Sequence, residues 1–239
     1  MKIDRRIKYR LVLDTETCPL DKDCTEVSPY NMLVYDIGWA VVDKRGKVYE
    51  TASYVVADVF LDERMLMQSA YYATKIPNYW ADIKSGQRKL MQMKNIRKRM
   101  METLAKYRID EIYAHNARFD TGALNVTQRW LTKSRYRYFF PSHVSICDTL
   151  QMSRDVLKTM PTYRRFCEDN GFVTAKNVSR YTAEVIYRYI TKDITFEESH
   201  TGLEDVMIEK EILAYCYKQH RKMRRVLYPA RPSLGSAVI

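Results

Sequence analysis

Asp14 and Glu16 in the run LVLDTET, Asp120 in AHNARFD, and His200 with Asp205 in ESHTGLED are the residues of this chain best equipped for chemistry. Four carboxylates aimed at one point could hold two divalent cations, with an imidazole left over as a base. Magnesium is a hard cation that prefers oxygen ligands, usually one or two carboxylates completed by water and substrate phosphate. Two such ions about 3.5–4 Å apart can activate a water, steady the charge at phosphorus and stabilise a leaving oxygen. Those are the needs of phosphodiester hydrolysis.

Each piece also has a plain structural use. An Asp-Thr-Glu after a strand can serve as a turn or a cap, and Asn116 is an ordinary helix-cap residue. Asp120 and Asp205 would suit the positive end of a helix, and His200 could be a packing or surface histidine. Their joint occurrence, in this order and in these local contexts, is what favours chemistry.

The elements that must position these residues can be read from periodicity. Leu11–Leu13 is a short apolar run that ends at Asp14, so a strand is expected with Asp14 and Glu16 at its C-terminal end. Their i, i+2 spacing points both side chains to one face. Residues 32–42 and 47–56 read as two further strands around the turn Asp43-Lys44-Arg45-Gly46. Residues 61–83 are mixed and aromatic, with a break at Pro77. A long helix is expected over 85–107, with Leu90, Met93, Ile96, Met100, Leu104 and Tyr107 as its apolar stripe. Strands at 109–114 and 144–147, the second ending at Asp148, flank a helix over 119–131. Helices are expected at 149–158, 161–170, 180–191 and 202–222. Thr201 and Glu204 match a capping box at the start of the last one. This order gives an α/β fold with a mixed five-stranded sheet flanked by helices, in one domain over residues 1–228. A helical, basic, Tyr-rich segment at 57–108 reads as an insert, and 229–239 as a loose tail.

Composition narrows the class. The chain has 239 residues, 46% hydrophobic and 29% charged, as expected of a globular protein. It contains no apolar run of membrane-spanning length, and its basic N-terminus lacks the apolar core of a signal peptide. Five cysteines (Cys18, Cys24, Cys147, Cys167, Cys216) show no paired or zinc-like spacing, so reduced thiols and a cytoplasmic location are expected. The net charge is +11, from 40 basic against 29 acidic residues, which favours a polyanionic partner. Arg129–Arg137 and Arg221–Arg225 are basic clusters, either solvated helix faces or phosphate contacts.

Asp14-Thr15-Glu16, Asn116 to Asp120, and His200 to Asp205 together resemble the three motifs of the DEDD superfamily of 3′→5′ exonucleases. One branch of that superfamily carries a tyrosine four residues before the last aspartate, where this chain has Thr201. The other carries a histidine five residues before it, where this chain has His200, so the resemblance is to the histidine (DEDDh) branch. That branch includes proofreading subunits of replicative polymerases, oligoribonuclease and RNase T. The resemblance implies an RNase H-like fold and two Mg2+ ions, with Mn2+ able to substitute. It implies that Asp14, Glu16 and Asp205 hold the ion that binds the attacking water. Asp14 and, through water, Asp120 would hold the second ion, and His200 would take the proton from the water. The backbone around Thr15 to Thr17 and the side chain of Asn116 would line the terminal nucleotide. Asp148 would support the site from behind rather than bind metal. Cys18-Pro19 departs from the small, flexible pair that often follows the first motif.

The expected activity is release of nucleoside monophosphates from the 3′ end of single-stranded nucleic acid. DNA is favoured and RNA is the alternative, since recognition of a 2′-hydroxyl depends on local geometry. A separate polymerase is a possible partner. A nucleic-acid-binding module on the same fold is the competing class, and the presence of all five motif residues argues against it.

Overall fold

Strand β1, Arg10–Pro19, alternates its side chains between two apolar cores. Leu11 and Leu13 enter one cluster and Val12 enters the other. The period of two therefore sends Asp14 and Glu16 to the Val12 face and Thr15 to the Leu13 face. The computed structural model describes residues 3–23, 26–198 and 200–231. Cys24 and the tail beyond Arg231 lie outside the described residues.

β1 is followed by β2 (Met32–Val42) and β3 (Val48–Val56), an antiparallel meander joined through the turn at Gly46. Next come α1 (Ala57–Phe60), α2 (Arg64–Met67), a single 3₁₀ turn at Ala73–Lys75, and α3 (Ile76–Ser85). β4 (Lys89–Met91) and α4 (Met93–Tyr107) complete this stretch. Then β5 (Glu111–Ala114), α5 (Ala117–Thr132) and β6 (Ser145–Asp148) alternate. The chain continues through α6 (Thr149–Leu157), α7 (Pro161–Asp169), α8 (Ala183–Thr191), α9 (Gly202–Lys218) and β7 (Val226–Tyr228).

The sheet runs β4-β3-β2-β1-β5-β6-β7, with β5 parallel to β1 and β6 parallel to β5. One face is covered by α1, α3, α4 and α5, through residues such as Phe60, Tyr79, Met100 and Leu124. The other is covered by α6 to α9, through Met152, Tyr163, Ile186 and Ile212. β2 is buried along its whole length, as a central strand covered on both faces should be.

The sheet has seven strands where five were expected. The additional two, β4 and β7, are three residues each, too short to display an alternating pattern. β4 also divides the helix expected over 85–107. Gly86, at φ +78°, takes the left-handed conformation that closes α3, and Leu90 then pairs with Val55 in the sheet. The stripe from Met93 to Tyr107 survives as the buried face of α4. α9 ends at Lys218, short of residue 222, because the chain then turns to form β7. The start of the expected loose tail is tied down: the Ala230 N–H donates to Ser145 Oγ at 3.0 Å. Cys18, Cys147, Cys167 and Cys216 are buried free thiols. Among the described residues, no helix is long and apolar enough to cross a membrane.

Candidate active site

The acids are delivered by β1 and α9. β1 extends well past Asp14, so Asp14 and Glu16 sit within the strand rather than at its end. The start of α9 crosses the sheet at Gly38, the residue paired with Asp14 on β2. A Cβ on Gly38 would lie 2.3 Å from Leu203 N and 2.4 Å from the Gly202 carbonyl carbon, so only glycine permits this approach. The approach is fastened by buried Asp36, whose Oδ2 accepts the Gly202 N–H at 3.2 Å and the Tyr79 hydroxyl at 2.6 Å. Arg88 adds an ion pair to the same oxygen at 3.3 Å. α3 and the turn before β4 thus brace the helix that carries Asp205.

Carboxylate oxygens of Asp14, Glu16 and Asp205 come within 4.8 Å of one another. Asp120, in the first turn of α5, stands beside this group, where its Oδ1 accepts the Thr15 hydroxyl at 2.8 Å. At this spacing the negative charges crowd. Burial, then Glu209 and Asp120, hold Asp14 well above the ordinary carboxylate range. Burial, then Asp205, push Glu16 up to about 9. Burial and Glu198 push Asp205 up to about 8, and burial pushes Asp120 up to about 7 against the opposing Thr15 bond. Among the cleft's acids, Asp205 Oδ1 and Glu209 Oε2 are buried with no hydrogen-bond partner among the described residues. Hard, clustered oxygens with unfilled lone pairs fit divalent cations of the magnesium kind.

His200 precedes α9 with a left-handed backbone, φ +51°. Its ring stacks on Tyr72 with centroids 4.4 Å apart, and its Nδ1 lies 3.8 Å from the Glu198 carboxylate. Burial, then the charge of Lys75, hold the imidazole below its ordinary value, so it is a neutral base at neutral pH. The expected capping box is not formed. Thr201 occupies the cap position without accepting a backbone N–H, and its hydroxyl donates to the Glu204 carboxylate instead.

Asn116 is exposed, also left-handed at φ +69°, makes no side-chain cap, and lines the cleft. Its backbone N–H donates to Asp148 Oδ1 at 3.0 Å, and the same oxygen caps α6 through Leu150 N at 2.9 Å. Asp148 therefore touches the site through the backbone of Asn116. Thr17 is buried past the bulge that follows Glu16 and does not line the cleft, whereas Thr15 does.

That cleft has a volume of about 1250 Å³. Its lining includes the acids Asp14, Glu16, Asp205 and Glu209 and the bases Arg154, Lys158, Arg180 and Arg224. Tyr72, Lys75, Glu198 and Glu209 were not anticipated from the sequence. The i+4 spacing of Glu209 from Asp205 on one helix face was its available signal.

No protein-family model matches the sequence. No characterised protein matches it by sequence. Solved structures do match by fold. The crystal structure of cell-death related nuclease 4 (CRN-4) aligns with a TM-score of 0.58 at 15% identity, over 92% of this chain and 67% of that one. Exonuclease I of E. coli, in complex with a 5cy-dT13 oligonucleotide, aligns at 0.50 and 11% identity, over 89% of this chain and 42% of that one. Pop2p of S. pombe, in its Mg2+- and Mn2+-bound form, aligns at 0.50 and 12% identity, over 90% and 84%. This chain therefore spans less than half of the exonuclease I chain. The mixed sheet with helices on both faces is the RNase H-like fold of these nucleases.

Proposed function

We propose that this protein is a 3′→5′ exonuclease of the DEDDh type, acting on single-stranded nucleic acid with DNA favoured and releasing nucleoside monophosphates. One observation carries the reading: Asp14, Glu16 and Asp205 converge within 4.8 Å in a cleft that His200 also lines. Asp14, Glu16 and Asp205 would hold one divalent cation, and Asp14 with Asp120, acting through water, a second. Bound there, Mg2+ or Mn2+ would supply an activated water and charge stabilisation at phosphorus.

The rest falls to the chain's own side chains. His200, neutral and partly exposed at the rim, takes a proton from the attacking water. Asn116, free of capping duty, and the backbone at Thr15 position the terminal nucleotide. Arg154 and Arg180 offer cations to the phosphates behind it, while Lys158 and Arg224 line the same cleft paired with Asp155. Tyr72 and Lys75 bring the 57–108 segment into the site beside His200. The oligonucleotide bound by exonuclease I and the ions bound by Pop2p support this reading by shared fold.

The test is degradation of 3′-labelled and 5′-labelled single strands of DNA and RNA, with Mg2+, Mn2+ or chelator. The 3′ label should appear at once as mononucleotide and the 5′ label as a shrinking ladder, in both metals and not in chelator. Cutting of a circular single strand, or undiminished cleavage in excess chelator, would contradict it.

A further inference from the structure

Glu209 stands in the acidic centre without an assigned role. It lies one turn beyond Asp205 on α9, a spacing that places the two on one helix face. Its side chain is only 3% exposed, yet it lines the same cleft as Asp14 and His200. Its two oxygens differ. Oε1 accepts the His115 N–H at 3.1 Å, whereas Oε2 is buried with no hydrogen-bond partner among the described residues.

A buried structural carboxylate is normally paired with a cation or satisfied on both oxygens. The strongest charges acting on Glu209 are those of Asp120 and Asp205, both negative. Of the charges acting on Asp14, that of Glu209 is the strongest, ahead of Asp120. Through the His115 N–H, Glu209 also reaches the backbone just ahead of α5, whose first turn carries Asp120, and so it belongs to the Asp14–Asp120 side of the centre. That side is short of acceptors, because Asp120 already gives one oxygen to the Thr15 hydroxyl.

We propose that Glu209 is a fifth carboxylate of the metal centre, whose free oxygen serves a second divalent cation on the Asp14–Asp120 side by accepting hydrogen bonds from its water. Magnesium keeps several waters in protein sites, so a carboxylate outside the closely spaced trio can act in this way. The inference rests on the two-ion nuclease reading and adds a residue that none of the three motifs contains.

Mn2+ binding to the full chain without nucleic acid, followed by the paramagnetic resonance of free Mn2+, tests it. Glu209→Gln keeps the shape and the acceptor for His115 while removing the charge. It should weaken one of two Mn2+ ions by about 10–100-fold, the range seen when groups supporting a metal's ligands are removed, and leave the other unchanged. Two ions bound with wild-type affinity in Glu209→Gln would overturn the proposal. So would a wild-type protein that binds a single Mn2+ whose affinity the substitution leaves alone. Melting in chelator checks the fold; if Glu209→Gln does not fold, Glu209→Asp, which retracts the carboxylate, should weaken the same ion. Asp14→Ala separates the two readings. If Asp14→Ala loses Mn2+ and Glu209→Gln does not, only the role of Glu209 fails. If Asp14→Ala binds both ions normally, the nuclease reading fails with it.

Discussion

His200 is held in a backbone region that costs a non-glycine residue of order 1 kcal/mol, against the flat face of Tyr72. That arrangement makes sense for a base whose ring must be aimed rather than merely present. His200→Ala should lower turnover by about 10²–10⁴-fold, the usual contribution of general base catalysis, with Mn2+ binding retained. The wild-type rate should rise with pH through the imidazole titration, and the variant should lose that limb. Tyr72→Leu is the subtler probe. Removing the ring exposes the imidazole, so the value that burial holds down should return upward and the limb should move to higher pH. Tyr72→Phe should keep the wild-type profile. A limb that stays in place in Tyr72→Leu would reduce the stack to packing. The convergence of Asp14, Glu16 and Asp205, with Asn116 and His200 on the same cleft, could be anticipated because residue type and spacing survive in sequence. Tyr72 was not, since nothing local distinguishes it from its exposed neighbour Tyr71. Glu209 was hidden among Glu204 and Glu211 on the same helix; its i+4 spacing from Asp205 was the one hint, and the fold shows that it is the buried one.

At the scale of elements, the site depends on how closely α9 lies on β2. Gly38→Ala would drive a methyl group into the backbone of Gly202 and Leu203. Overpacking of this kind typically costs about 1–3 kcal/mol. The displaced helix start would also move His200 and Asp205 off β1, so turnover should fall in a protein that still folds. Denaturant melts and steady-state rates on one preparation check this; wild-type values for both would show that the crossing can shift freely. The hairpin strands and most helices were readable from their periods. β4 was not, because Leu90 continues the apolar spacing of α4 while lying in the sheet beside Val55. The capping box has the right spacing, with Glu204 three residues after Thr201, but the Glu204 carboxylate accepts from the Thr201 hydroxyl and not from its backbone.

The whole molecule combines a surplus of positive charge with a buried acidic centre. Burial and neighbouring acids push Glu16, Asp205 and Asp120 up to about 9, 8 and 7, from ordinary values of 4.5, 3.8 and 3.8. Between those limits the folded chain keeps protons that the unfolded chain has released. The stability these groups contribute is therefore full below their ordinary values and is lost as pH rises through the raised ones. In chelator, the melting temperature should fall as pH climbs across this window, and Mg2+ should restore it by binding only the folded state. A melting temperature that rises with pH in chelator would contradict the crowding of charge at the centre. The positive surplus should act on the substrate instead, making single-strand binding weaken steeply with salt.

If the carboxylates of β1 and α9 form a centre that hydrolyses 3′ ends, mononucleotide release from a 3′-labelled single strand in Mg2+ must depend on them. The decisive comparison is wild-type protein against Asp14→Ala. Asp14 is shared by both proposed ions and is crowded by Glu209, Asp120, Glu16 and Asp205. The variant should fold, melt no lower than wild type in chelator, and release no label above the protein-free background. Near-normal release by a folded Asp14→Ala protein would show that the chemistry, if any, takes place elsewhere.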